Sequence, residues 1–263
     1  LNTPQTDAFE KSSVLYGLNW AAESIRSSGE AVVVEGYMDT IALARNGVDY
    51  AVATLGTATT NEHLNRLFRL TENIVFSFDG DRAGRQAAWR ALENALPQVR
   101  EGRQIRFVFL PETHDPDSYV NEYGADAFVQ QLDSGMPLSQ FLISKLSSQV
   151  DMETIDGRAK LAEMARPLVN RLPAGVYREL LIEGLADSVG LTASKLNKII
   201  AGRTTRDKSR YFSAATTKKS RSTSGSSKPS IVRRAITLLL NRPNAGIGLD
   251  LEKLASVNRP GVD

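Results

Sequence analysis

The chain contains no cysteine. Disulfides and thiolate metal sites are therefore excluded, and the composition fits a reducing compartment. No stretch approaches the roughly 18 uncharged apolar residues that a membrane helix needs, so no membrane partner is expected. The first residues, LNTPQTDAFEKSS, hold neither a charged n-region nor an apolar h-region and are no signal peptide. They also lack an initiator Met, so the sequence reads as an excised fragment. Histidine is scarce, with two residues, His63 and His114, and neither is read as a ligand. What remains is 263 residues with 41% hydrophobic content, enough for one large domain or two ordinary ones with a packed core.

The net charge of +2 hides a strong division. Residues 203–234 hold ten basic residues against one acid, Asp207, a net of +9, so the rest of the chain carries −7. An acidic body does not attract nucleic acid by bulk charge. If it handles nucleotides, something must offset its carboxylates locally.

From residue 31 the hydrophobic period switches regularly. AVVVE (31–35), YAVATL (50–55), NIVFSF (73–78) and QIRFVFL (104–110) are short, β-branched or apolar runs that read as strands. Between them, MDTIALARNG (38–47), TNEHLNRLFRL (60–70) and DRAGRQAAWRALENAL (81–96) have helical spacing, with Thr60 as an N-cap and Gly47 as a C-terminal cap. Strand alternating with helix predicts an α/β fold with a parallel sheet and flanking helices. The strands are almost continuously apolar, as strands covered on both faces must be.

Upstream, VLYGLNWAAESIRS (14–27) reads as an amphipathic helix. After residue 118 the strand signals stop, and periodic segments near 125–133, 137–150, 156–171, 175–189 and 193–201 predict an all-helical subdomain. Residues 204–230 are rich in Ser, Thr and Lys and poor in apolar residues, the composition of a flexible tether. Helical spacing resumes at IVRRAITLLLNRP (231–243). The expected boundaries are a lead-in at 1–29, a catalytic sheet domain at 30–124, a helical subdomain at 125–202, a basic linker at 203–230 and a further domain beginning at 231–263.

In a parallel sheet, ligands sit beyond the carboxyl ends of the strands. Glu35 and Asp39 follow the first strand, Asp79 and Asp81 the third, and Asp115 and Asp117 the fourth. Two carboxylates about 4 Å apart repel by roughly 4 kcal/mol at an effective dielectric near 20. Six such groups at one edge make sense around divalent cations, and oxygen-only donors point to hard ions, Mg²⁺ or Mn²⁺. Blander readings stand beside this one. An isolated Asp-Gly-Asp is often a turn. Asp39 also suits the positive end of a helix, and Asp115 before Pro116 also suits a loop held extended. Gly36, Gly80 and Gly84 serve tight turns or close packing, while Gly80 and Gly84 with Arg82 and Arg85 could equally receive a phosphate at the helix start. Trp89, among helical apolar positions, reads as core.

Together, VVVEGYMDTIAL, AVATLGTATT, FSFDGDRAGRQAAWRAL and FLPETHDPDSYV resemble the Toprim domain of bacterial DNA primases. Toprim domains also occur in topoisomerases and nucleases, but EGYMD, LGTA and DGDRAG in this order and spacing look like the primase. LYGLNWA is similar to the helix that enters the domain in that family. The likeness extends to about residue 200, and from 231 onward the chain resembles the start of a helicase-binding domain.

The resemblance implies a bacterial, cytoplasmic RNA polymerase that makes short primers on a single-stranded DNA template from nucleoside triphosphates and is recruited by a replicative helicase. It carries Glu35, Asp79 and Asp81 over as principal metal ligands, with Asp39, Asp115 and Asp117 as further acids. It also implies that zinc belongs only to an N-terminal domain outside this chain. Two or more divalent ions would support phosphoryl transfer, with Glu35 as ligand or as general base. The rival readings are another Toprim enzyme cleaving DNA, or a non-catalytic recruitment module.

Overall fold

The computed structural model describes residues 11–56 and 58–201. At its centre are four parallel strands: β2 (Glu30–Val34), β3 (Ala51–Thr54), β4 (Asn73–Phe78) and β5 (Gln104–Phe109). Two-residue strands extend the sheet at both edges, β1 (Leu15–Tyr16) beside β3 and β6 (Met136–Pro137) beside β5. The full order is β1-β3-β2-β4-β5-β6, and both edge pairings are antiparallel. The sheet is thus mixed rather than purely parallel.

Both faces of the central strands are covered, which explains their continuous apolarity. Val33, Ile74, Phe76, Phe78 and Phe107 face one core with α1 (Leu18–Ser28), α3 (Asn61–Leu67) and α4 (Arg82–Ala95). Val32, Val34, Val75 and Val108 face the other, under α2 (Tyr37–Arg45), α5 (Pro116–Tyr123) and α6 (Ala125–Asp133). The first core continues without a break into α7 (Leu138–Ser147), α8 (Ile155–Val169), α9 (Val176–Val189) and α10 (Ala193–Ala201). Phe141 of α7 packs on Phe107 at 4.8 Å between ring centroids, and Trp89 meets it edge-on at 6.3 Å, so Trp89 is a core contact.

Local chemistry sets the element ends. Thr60 caps α3 by accepting from His63 N–H at 3.2 Å, and the backbone N–H of Thr60 donates back to Nδ1 of His63. The chain leaves α2 through Gly47 at φ 91°. The segment 14–27 is not one helix: Leu15 and Tyr16 pair with Thr54 and Ala53, and the helix starts only after Gly17. The linker expected at 203–230 and the domain expected from 231 lie outside the described residues, as do residues 1–10 and Thr57. No helix among the described residues is long and apolar enough to cross a membrane.

Candidate active site

The strand order places a switch between β2 and β4. From β2 the chain crosses to β3 on one side, and then to β4 on the other. The loops leaving β2 and β4 therefore diverge, opening a crevice at their carboxyl ends. Glu35 is the first residue after β2 and Asp79 the first after β4. The fold brings these two acids to the mouth of that crevice from separate strands.

The glycines between the acids answer to packing. Gly80 is buried, and a Cβ there would overlap the carbonyl oxygen of Leu110 at the exit of β5. Gly84 is buried too, and a Cβ on it would strike the carbonyl oxygen of Asp79. Asp79, Asp81 and the loop after β5 are held together because neither glycine has a side chain.

The acids differ in what they touch. Asp81 is the N-cap of α4, its Oδ1 accepting from Gly84 N–H at 2.7 Å. Asp115 caps α5 with its Oδ1 on Ser118 N–H at 2.8 Å, and Pro116 follows at the first helical position. Its extended backbone, φ −99° and ψ 171°, is the one expected before proline. Asp39 is buried, with Oδ2 accepting from Gly36 N–H at 3.0 Å and Oδ1 from Asp117 N–H at 3.4 Å. The Asp117 carboxylate turns to Asn121, whose Nδ2 donates to it at 2.6 Å. Among the described residues, the carboxylates of Glu35 and Asp79 take part in no hydrogen bond or ion pair with protein groups.

The charges respond accordingly. Desolvation pushes Glu35 up to about 7, and Asp79, Asp81 and Asp39 add repulsion. Arg90, two turns into α4, opposes them. Desolvation, then repulsion from Asp115, raises Asp39 to about 6 against the two backbone N–H groups that hold it down. Asp79 is raised by desolvation, Asp115 and Asp81. The Ser118 hydrogen bonds keep Asp115 low. Repulsion from neighbouring carboxylates thus raises Glu35, Asp39 and Asp79 together. As they stand, no three His, Asp or Glu side chains among the described residues converge on a common metal position. The donors nonetheless suit a hard divalent ion: oxygen only, mutually repelling, with Glu35 and Asp79 uncommitted and Asp81 and Asp115 each keeping Oδ2 beyond its cap.

Arg90 was not among the residues singled out from sequence; only the packing of α4 brings it toward Glu35. On the same helix, Ala87 borders a small cavity with Glu35, and Asn94 Nδ2 donates to the Thr59 carbonyl at 2.8 Å. Arg82 and Arg85 are exposed, and Arg85 lies over the Phe109 ring at 5.1 Å.

Raised carboxyls make a stability prediction for the metal-free protein. Folding favours the protonated forms of Glu35 and Asp39, so their contribution is full below about pH 4 and is lost as pH rises through 6 and 7. Glu35→Gln removes that loss at its own position. The melting temperature of Glu35→Gln minus that of the parent, both in EDTA, should grow between about pH 5 and pH 8. After discounting for the exposure of Glu35, the gain should be about 1 kcal/mol, or 2–4 °C. A difference that shrinks with pH would mean the cleft already satisfies this carboxylate.

A family described as Toprim-like matches residues 32–120, which hold most of the four central strands, α2 to α4 and the first turns of α5. The DNA primase of Escherichia coli (strain K12) is 48% identical over 201 residues, covering 76% of this chain and 35% of the relative. The chain belongs to the bacterial DNA primase family. The DNA primase of Pasteurella multocida (strain Pm70) is 42% identical over 265 residues, covering 100% of this chain and 44% of the relative. The chain therefore spans between a third and a half of the length of these curated relatives. A primase domain from Pseudomonas aeruginosa superposes with a TM-score of 0.73 at 46% identity, covering 76% of this chain and 63% of that one. A DnaG primase catalytic domain bound to ssDNA gives a TM-score of 0.71 at 48% identity, covering 74% and 62%. A second family, described as the DnaB-helicase binding domain of primase, matches residues 139–194. Those residues are α7 to α9; the segment from 231 onward, where helicase binding is also expected, lies outside the described residues.

Proposed function

We propose that this chain carries the acidic half of a primer-synthesising active site, in which short RNA is made on a single-stranded DNA template from nucleoside triphosphates. The observation that carries the reading is the pair Glu35 and Asp79 on either side of the switch between β2 and β4, raised together and without a protein partner. Family membership supports the reaction.

Glu35, Asp79 and Asp81 would be the principal holders of two or more divalent ions, Mg²⁺ or Mn²⁺, with Asp39, Asp115 and Asp117 as further acids. Bound there, such ions supply charge neutralisation at the transferring phosphoryl group and acidify the attacking hydroxyl. The chain's own part is to fix the donors. Gly80 and Gly84 hold Asp79 and Asp81 against the β5 exit. The Gly36 and Asp117 N–H groups orient Asp39. Glu35, near 7 in the metal-free protein, is also poised to take the proton of a 3′-hydroxyl, since a base works best near the operating pH. Arg82, Gly84, Arg85 and Gly80, at the start of α4, are the candidate contacts for triphosphate. The family match at 139–194 supports contact of α7 to α9 with a replicative helicase.

Calorimetric titration with Mn²⁺ tests the site. Affinity should rise about ten-fold or more from pH 6 to pH 8, with protons released, because the raised carboxyls must ionise to bind. Asp79→Asn should abolish the heat. Unchanged binding in that variant would remove Asp79 from the metal site and the reading with it.

A further inference from the structure

Apolar residues left on the surface by α1 and α2 gather beside Glu35. Trp20, Tyr37 and Met38 are 46%, 36% and 53% exposed. Tyr16, on edge strand β1, fixes the two aromatic rings among them. Its ring meets Trp20 edge-on at 5.2 Å between centroids and Tyr37 in the same fashion at 5.7 Å. An edge-on contact engages at most one face of a ring, so each is oriented without being covered. The indole also lies along the bare Cα of Gly17, where a Cβ would stand 3.1 Å from Cζ2. These rings are held in place by their own neighbours, yet they remain open.

Their position says what they could hold. Tyr37 is two residues from Glu35, which puts the Cα atoms at most about 7 Å apart. The patch is therefore continuous with the crevice. Glu35 and Asp39 flank Tyr37 two residues away on either side, so the patch itself suits the neutral face of a base rather than a phosphate or an acidic side chain. An unpaired base is neutral, flat and π-faced, and aromatic platforms bind such bases with little regard to sequence.

We infer that Tyr16, Trp20 and Tyr37 form a stacking platform for an unpaired base of single-stranded DNA at the mouth of the acidic crevice. The identity of the strand rests on the polymerase reading above; the stacking itself is testable without it. It also gives an acidic body a means of holding DNA that does not depend on net charge.

The experiment uses the whole chain and a fluorescein-labelled single strand of about a dozen nucleotides, read by anisotropy. Salt is raised until the contribution of the basic residues at 203–234 is suppressed. Trp20→Ala and Tyr37→Ala should each weaken binding about ten-fold, while Trp20→Phe and Tyr37→Phe stay within about two-fold. A strand with abasic sites should bind the parent no better than the Ala variants bind the intact strand, and should fail to quench the indole emission that the intact strand quenches. Melting curves confirm that the exposed substitutions leave the fold intact. Asp79→Asn should keep the Trp20-dependent binding, so a failure of the polymerase reading and a failure of the platform give different results. Equal affinity of Trp20→Ala and parent, equal binding of the abasic strand, or no binding by the parent would overturn the platform. So would a loss confined to binding of free nucleoside triphosphate.

Discussion

On the proposed function, Asp79→Ala is expected to reduce primer synthesis by about 10²–10³-fold and to leave the metal-free fold as stable as before, or slightly more so. Its carboxylate accepts no hydrogen bond from the described residues and is raised by desolvation, Asp115 and Asp81, so its removal relieves repulsion. Asp81 behaves differently on stability. It caps α4 through Gly84 N–H, so Asp81→Ala should also lose about 1 kcal/mol, a fall of 2–4 °C in melting temperature. Asp81→Asn keeps a capping oxygen and should recover that stability without recovering activity. The pair separates two roles carried by neighbouring acids. Primer synthesis by Asp79→Ala within a few-fold of the parent would show that this carboxylate does not serve the reaction. A clear fall in the metal-free melting temperature of both Asp79→Ala and Asp81→Asn would show that the acids hold the fold instead.

The strand ends explain why the placement of these acids was readable. Each acid of the cluster follows an apolar run, and those runs match the strands closely: 73–78 is β4, and 104–110 overshoots β5 by one residue. Helical spacing located α6 and α10 at their observed bounds, 125–133 and 193–201. Two kinds of feature were not readable. Strands β1 and β6 rest on backbone pairing with β3 and β5, and two residues carry no periodicity, so the first was absorbed into a helix and the second passed unseen. The division of labour among the acids was also hidden, since a cap and a ligand look alike in sequence. Asp-Pro at 115–116 is a helix-start signal that could have revealed both α5 and the capping role of Asp115. Nothing local could have found Arg90, eight residues beyond Arg82, because only the packing of α4 carries it toward Glu35.

Gly80→Ala is expected to be the most damaging small substitution near the site. The new methyl would overlap the Leu110 carbonyl oxygen and stand 2.9 Å from Glu112 N and the Pro111 carbonyl carbon. All three are backbone atoms at the exit of β5, so no side chain can rotate away. Overpacking of this kind costs about 1–3 kcal/mol when neighbours can yield, and more when backbone must move. A loss of about 3 kcal/mol should lower the melting temperature by roughly 6–12 °C. Gly29→Ala is the control: φ is 74° there but nothing lies within 4 Å, so only the left-handed backbone is strained, at about 1 kcal/mol. Displacement of the β5 exit would also move Asp115 away from Asp79, so Mn²⁺ affinity should fall with stability. Melting curves of the two metal-free variants beside the parent, with Mn²⁺ titrations of each, make the comparison. If Gly80→Ala melts with the parent and loses only nucleotide binding, the glycine is kept for the approach of a phosphate to the start of α4, and close packing against β5 is not what it serves.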